Sequence, residues 1–186
     1  DKVNSQISYE LCSEIQERKG FYYKALIESG KIKIRNGVIR LLNELASNDI
    51  KQFIVTTSCR DSLNPFLNST LHSHLHLFSK IITFENVSKH KPFPDAYNLA
   101  IKLSKNSYEN CIAIEDSNIG VEAAKTANLN VLLTLPPWSS SDQEITKKAN
   151  ACVDSLGDSS KPSKLIYGKP LVRKIVDLEY LTDIIN

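Results

Sequence analysis

Apolar positions along this chain alternate between short unbroken runs and stripes at helical spacing, and that alternation predicts an α/β architecture. The clearest run is Cys111 to Ile114, which contains nothing polar and reads as a strand buried on both faces, as parallel strands are. It stops at Glu115 and Asp116. Asp116, Ser117 and Asn118 are cap-forming residues, and Ile119 to Ala127 continue with helical spacing. Gln52 to Val55 predicts another strand, finishing in Thr56, Thr57, Ser58, Cys59 and Arg60. Further strands are predicted at Ile81 to Phe84, at Asn130 to Leu135 before Pro136 and Pro137, and at Ala151 to Val153.

The helical stripes fill the intervals. Val38, Leu41, Leu42 and Leu45 follow Gly37 at i, i+3, i+4, i+7 spacing, and Ala96, Leu99, Ala100 and Leu103 repeat it. Pro94 suits the first position of that second helix, and Asp95 favours its positive end. Nearer the start, Leu11, Ile15, Tyr22, Ala25 and Leu26 share one stripe of an amphipathic helix with nothing before it to pack against. Gly30 stops that helix and Lys31 to Asn36 form a connector, so a domain boundary is expected near Gly30. Ser155 to Pro170 reads as loop, and Val172 to Ile185 as a terminal helix, alone or after a short strand.

Composition narrows the class. A chain of 186 residues, 41% hydrophobic and 24% charged, suits one globular domain with a proper core, or one domain plus a small fragment. A net charge of +2 leaves no electrostatic footprint for nucleic acid, and no apolar run approaches the length of a membrane span. Cys12, Cys59, Cys111 and Cys152 are far apart in sequence, which favours a reducing compartment over a disulfide framework. The polar opening Asp1 to Ser8, without an initiating methionine, gives no readable signal peptide.

Three turns carry candidate chemistry. Strand pleating would send Glu115 and Asp116 to opposite faces, but the chain leaves the strand there, so both can serve one site at its carboxyl end. Two anions ~4 Å apart repel by about 4 kcal/mol at an effective dielectric near 20, which makes a hard cation such as Mg²⁺ their natural partner. Taken alone, the same pair also reads as surface acids capping a helix. Thr56 to Arg60 offer hydroxyls and free N–H groups at a strand's carboxyl end, a phosphate-binding edge that also occurs in turns without ligands. Lys91, in Lys89-His90-Lys91-Pro92-Phe93-Pro94-Asp95, sits among prolines at a position that packing does not explain. His72, His74 and His76 have a spacing that could bind metal along a strand, but without acidic or cysteine company they read as solvated loop histidines.

Taken in order, a strand ending in Thr56, then Lys91 before a Pro-x-Pro-Asp helix start, then Glu115-Asp116 before Ser-x-x-Gly, resembles motifs two to four of the haloacid dehalogenase superfamily of phosphohydrolases. Ile34 to Leu42 looks like the hinge and first core helix after a helical cap in its β-phosphoglucomutase-like branch, with Asn36 where the branch usually has proline. Within that branch, Glu17 to Ile32 and Val55 to Ser62 most resemble CbbY-type sugar-bisphosphate phosphatases. The resemblance implies a Rossmann-like core over 31–186 and the last helix of a cap over 1–30. It implies that Thr56 donates to the transferring phosphoryl group and that Lys91 neutralises it. Glu115 and Asp116 would complete a Mg²⁺ shell, and Thr57, Ser58, Arg60 and the cap residue Lys19 would meet a small phosphorylated sugar.

That superfamily opens with a first, central strand carrying Asp-x-Asp-x-Thr, whose first aspartate attacks phosphorus and whose second serves as acid and base. The 186 residues contain no Asp-x-Asp. The expectation is therefore an N-terminally shortened form of a Mg²⁺-dependent phosphatase, inactive as it stands, with a pentulose bisphosphate the favoured substrate of its parent. A sugar phosphomutase and a non-catalytic phosphate-ligand module are the alternatives. Bacterial cytoplasm and plastid stroma are both compatible with it, and the sequence carries no sign of oligomeric state.

Overall fold

In a computed structural model, which describes residues 2–138 and 143–186, the elements run α1 (Lys2–Glu28), α2 (Val38–Ser47), β1 (Gln52–Val55), α3 (Arg60–Phe66), β2 (Phe78–Ile82), α4 (Asp95–Ser104), β3 (Ile112–Glu115), α5 (Asn118–Thr126), β4 (Asn130–Thr134), α6 (Gln143–Lys148), β5 (Ala151–Val153), β6 (Leu165–Tyr167) and α7 (Leu178–Ile185). Asp1, part of the polar opening stretch, lies outside the described residues. The chain divides into two units, Asp1–Lys33 with Arg60–Leu75, and Ile34–Cys59 with His76–Asn186.

In the first unit α1 contacts α3 and the π-helical turn Leu67–Leu71, so a stretch expected within the core groups with the helix instead. Ile27, Leu67 and Leu71 are buried there. The stripe read from sequence is not: Leu11, Ile15, Tyr22 and Leu26 are all exposed. Helical spacing identifies a helix correctly but cannot say whether its apolar face finds a partner. His72 and His74 fall in a 3₁₀ segment, His72–Leu77, rather than on a strand, and His74 Nδ1 lies 2.9 Å from the Ser73 hydroxyl.

The second unit holds the parallel α/β core. β1 pairs with β2 in parallel, with Ile54 opposite Ile81 and Val55 opposite Ile82. β3, β4 and β5 are parallel neighbours, and β6 closes that sheet antiparallel to β5. β4 explains why parallel strands are so apolar. Val131 and Leu133 enter one core, with Ala113, Val121 and Ala124, while Leu132 enters the other, with Leu41, Val153 and Leu181. Gly37 opens α2 at φ 82, where a Cβ would come within 2.7 Å of the Leu156 and Gly157 backbone, so only glycine fits that approach.

Four expectations are corrected. β6 lies inside the predicted loop Ser155–Pro170; it is a short edge strand whose polar surroundings hide the alternation of a buried one. The strand predicted at Ile81–Phe84 is Phe78–Ile82, because Thr83 leaves the sheet to form a capping box with Asn86. The last helix begins at Leu178, where the Asp177 carboxylate accepts from Tyr180 N, and not near Val172, which is 92% exposed. In α4 the inward face is rotated from the predicted stripe: Ala96 and Tyr97 are buried, whereas Leu103 is exposed.

Candidate functional site

The carboxyl ends of β1, β3 and β4 meet around a cleft of about 330 Å³ within the second unit. β1 brings Val55, Thr56 and Thr57, β3 brings Ile114, Glu115 and Asp116, and β4 brings Thr134; Lys91 and Arg35 enter from connecting segments. This is where open parallel sheets present their ligands, because strands end and helices begin on that rim.

Thr56 stands where the β1–β2 ladder ends. Its N–H donates to Ile82 O at 2.9 Å, and its Oγ1 accepts from Ser58 N at 3.1 Å. The Ser58 carbonyl in turn accepts from Phe84 N at 3.1 Å, which fixes the turn. Ser58 belongs to that support and does not line the cleft.

Lys91 is the deepest cation of the cleft, its side chain 8% exposed. Its ammonium donates to Val55 O at 3.1 Å, to Tyr97 Oη at 3.3 Å and to Glu115 Oε1. It thus links the end of β1 to the end of β3. Glu115 is equally enclosed: Oε1 also accepts from Tyr97 Oη, while Oε2 accepts from Asp116 N at 3.2 Å and Ser117 Oγ at 3.3 Å. Ser117 Oγ accepts from Gly120 N, so the residue that caps α5 also holds Glu115. Burial pushes the Tyr97 phenol far up, and the negative charge of Glu115, their hydrogen bond and the charge of Asp116 push it further. The phenol therefore remains a donor at ordinary pH.

The two adjacent acids differ in what they can do. Asp116 is exposed on the cleft, and among the described residues no side chain pairs with its carboxylate. Glu115 has both oxygens committed to internal donors. Among the described residues no group of three acidic, histidine or cysteine side chains could hold a metal ion. Of the two acids the resemblance assigns to Mg²⁺, Asp116 keeps a carboxylate facing the cleft and would be this chain's residue for holding the ion, whereas Glu115 is engaged by Lys91, Tyr97 and Ser117; no step below runs through a metal.

Five of the residues singled out from sequence, Thr56, Thr57, Lys91, Glu115 and Asp116, line this one cleft. Lys19 on α1 and Arg60 at the start of α3 belong to the first unit; Lys19 is exposed there. Sequence reasoning missed Tyr97, Thr134 and Arg35. Thr134 Oγ1 donates to Glu115 O at 3.2 Å, and Arg35 donates to Thr134 O, Thr134 Oγ1, Leu135 O and Asp154 O, holding the rim together. The one signal for Tyr97 was a hydroxyl among the apolar positions of α4.

Fold and cleft together define a parallel α/β domain whose strand ends carry a site of hydroxyls and of both basic and acidic side chains. A model of haloacid dehalogenase-like hydrolases matches residues 3–134, and the chain belongs to that family. A CBBY-like protein of Arabidopsis thaliana is 28% identical over 149 residues, 80% of this chain and 46% of the relative. The crystal structure of a mutant CbbY from Rhodobacter sphaeroides in complex with xylulose-(1,5)bisphosphate is 27% identical, with a TM-score of 0.68 over 80% of this chain and 67% of that one. A β-phosphoglucomutase from Clostridium difficile is 25% identical, with a TM-score of 0.67 over 93% of this chain and 66% of that one. The chain spans about half the length of the curated relatives it matches. No helix among the described residues is long and apolar enough to cross a membrane.

Proposed function

We infer that this chain is the phosphoryl-binding part of a phosphatase acting on a small phosphorylated sugar. The observation that carries the reading is the convergence of the Thr56 hydroxyl, the Lys91 ammonium and the Asp116 carboxylate on one strand-end cleft. Thr56 would donate to one phosphoryl oxygen and Lys91 would offset the charge on the others, beside the apolar walls Val55, Ile114 and Ile119. The favoured substrate is a pentulose bisphosphate, supported by likeness to a CbbY whose structure holds xylulose-(1,5)bisphosphate. Likeness to a β-phosphoglucomutase supports a phosphomutase as the second reading.

The attacking carboxylate is not among the residues of the cleft. β1 is paired only with β2 and β3 only with β4 among the described residues, and Ile114, on β3 with one edge unpaired, is 39% exposed. An extended strand carrying Asp-x-Asp between β1 and β3 would cover Ile114 and bring a carboxylate to Lys91. Cation and nucleophile would then face the same phosphorus: the first aspartate would attack it as the bond from phosphorus to the sugar oxygen breaks, the sugar would leave as its alcohol with a proton from the second aspartate, and water would hydrolyse the resulting aspartyl acyl phosphate to inorganic phosphate and free carboxylate.

The test is complementation. A synthetic strand bearing Asp-x-Asp-x-Thr is added during refolding, and release of inorganic phosphate from xylulose-1,5-bisphosphate is followed. Phosphate release that disappears with an Asn-x-Asp strand supports the phosphatase. A rearranged sugar phosphate without release supports the mutase, and a complex that binds the sugar without either product leaves a binding module.

A further inference from the structure

Lys91, Glu115 and Tyr97 form a closed set beneath the cleft. Tyr97 Oη donates to Glu115 Oε1, the same oxygen that receives the Lys91 ammonium. The Lys91 ammonium also reaches Tyr97 Oη at 3.3 Å and lies 4.9 Å from the centre of its ring. Tyr97 thus touches both members of the ion pair, yet it does not line the cleft. Room for the arrangement comes from Gly120, since a Cβ there would overlap the Glu115 carboxylate.

We propose that Tyr97 is a positioning residue for the phosphoryl site: its hydroxyl fixes Glu115 against Lys91, and so fixes where the ammonium stands at the cleft wall. The proposal rests on the reading of the cleft as a phosphoryl site. A buried carboxylate that loses one donor keeps its charge, turns more freely and adds repulsion to an anion arriving beside Lys91. Phenylalanine at 97 keeps the ring under the ammonium and removes the hydroxyl alone, so it isolates this role from packing.

Orthophosphate is titrated calorimetrically into the full chain as wild type, Tyr97→Phe and Lys91→Gln, well below each melting midpoint, with thermal melts recorded alongside. Wild type is expected to bind, Lys91→Gln to lose binding, and Tyr97→Phe to bind about tenfold more weakly, the scale of one hydrogen bond to a charged group. 4-Aminophenylalanine at 97 restores a neutral donor and is expected to recover most of the affinity. It also serves as the second variant should Tyr97→Phe fail to fold. If Tyr97→Phe binds phosphate as well as wild type, whatever its melting point, the residue merely packs and the proposal is overturned. An aminophenylalanine variant as weak as Tyr97→Phe overturns it too. If wild type binds no phosphate, or Lys91→Gln binds equally well, the phosphoryl reading of the cleft fails and the positioning role falls with it.

Discussion

β4 and β3 lie side by side in one sheet, but their side chains have different surroundings. Val131, Leu132 and Leu133 on β4 are almost wholly enclosed, 0%, 0% and 2% exposed, between two helical layers and two neighbouring strands. On β3, Ile114 is 39% exposed and Ile112 half-buried, and on β1 the residues Phe53 to Val55 are half-buried as well. Apolar character is similar in the three strands. What differs is the number of neighbours: β4 is paired on both edges, β1 and β3 on one edge each among the described residues. Stability is concentrated where burial is complete, and the chemically useful groups, Thr56, Lys91 and Asp116, gather where it is not.

The largest test of that contrast is a pair of truncations. Leu132→Ala should cost about 2–5 kcal/mol in denaturant unfolding, a deletion from a closed core, while Ile114→Ala should cost about 1 kcal/mol or less. Equal losses would mean that Ile114 is as enclosed as β4. Next, Gly120→Ala should cost about 1–3 kcal/mol, because the new methyl displaces the Glu115 carboxylate from its seat. Most of that cost should vanish in a Glu115→Ala background, where no carboxylate remains to displace, and a cycle with no coupling would contradict the assigned contact.

The smallest effect is a pH dependence. Burial raises the Cys152 thiol to about 11, against a smaller lowering by its hydrogen bond to Thr146. A raised folded pKa contributes stability below the unfolded value that is lost as pH rises toward the folded one, so stability should fall between about pH 9 and 11. Cys152→Ala should flatten that slope. Tyr97, also raised by burial, adds the same sign above about pH 10.

How much of this was legible in the sequence follows the same division. β4 and β5 could be read because burial on both faces favours an unbroken apolar run, and β3 because Ile112 to Ile114 keep such a run although Ile114 is exposed. β6 could not, since a three-residue edge strand has too little pattern to distinguish it from loop. Thr56 and Asp116 stood out because each follows a strand, and Lys91 because it stands among prolines before α4, all three at positions that packing does not require. Tyr97 was hidden because its role depends on two residues distant in sequence, Lys91 at 3.3 Å and Glu115, which only the folded chain brings to its hydroxyl. Glu115 shows the limit of adjacency: it neighbours Asp116 in sequence, but its oxygens turn to Lys91, Tyr97 and Ser117.

The central claim, that the turns after β1 and β3 form one anion site, is tested most directly by nuclear magnetic resonance of the ¹⁵N-labelled chain titrated with orthophosphate. The amides of Thr56, Thr57, Asp116 and Ser117 should move together and saturate with one common affinity. Shifts confined to one of the two turns, or centred on residues outside the cleft, would contradict it.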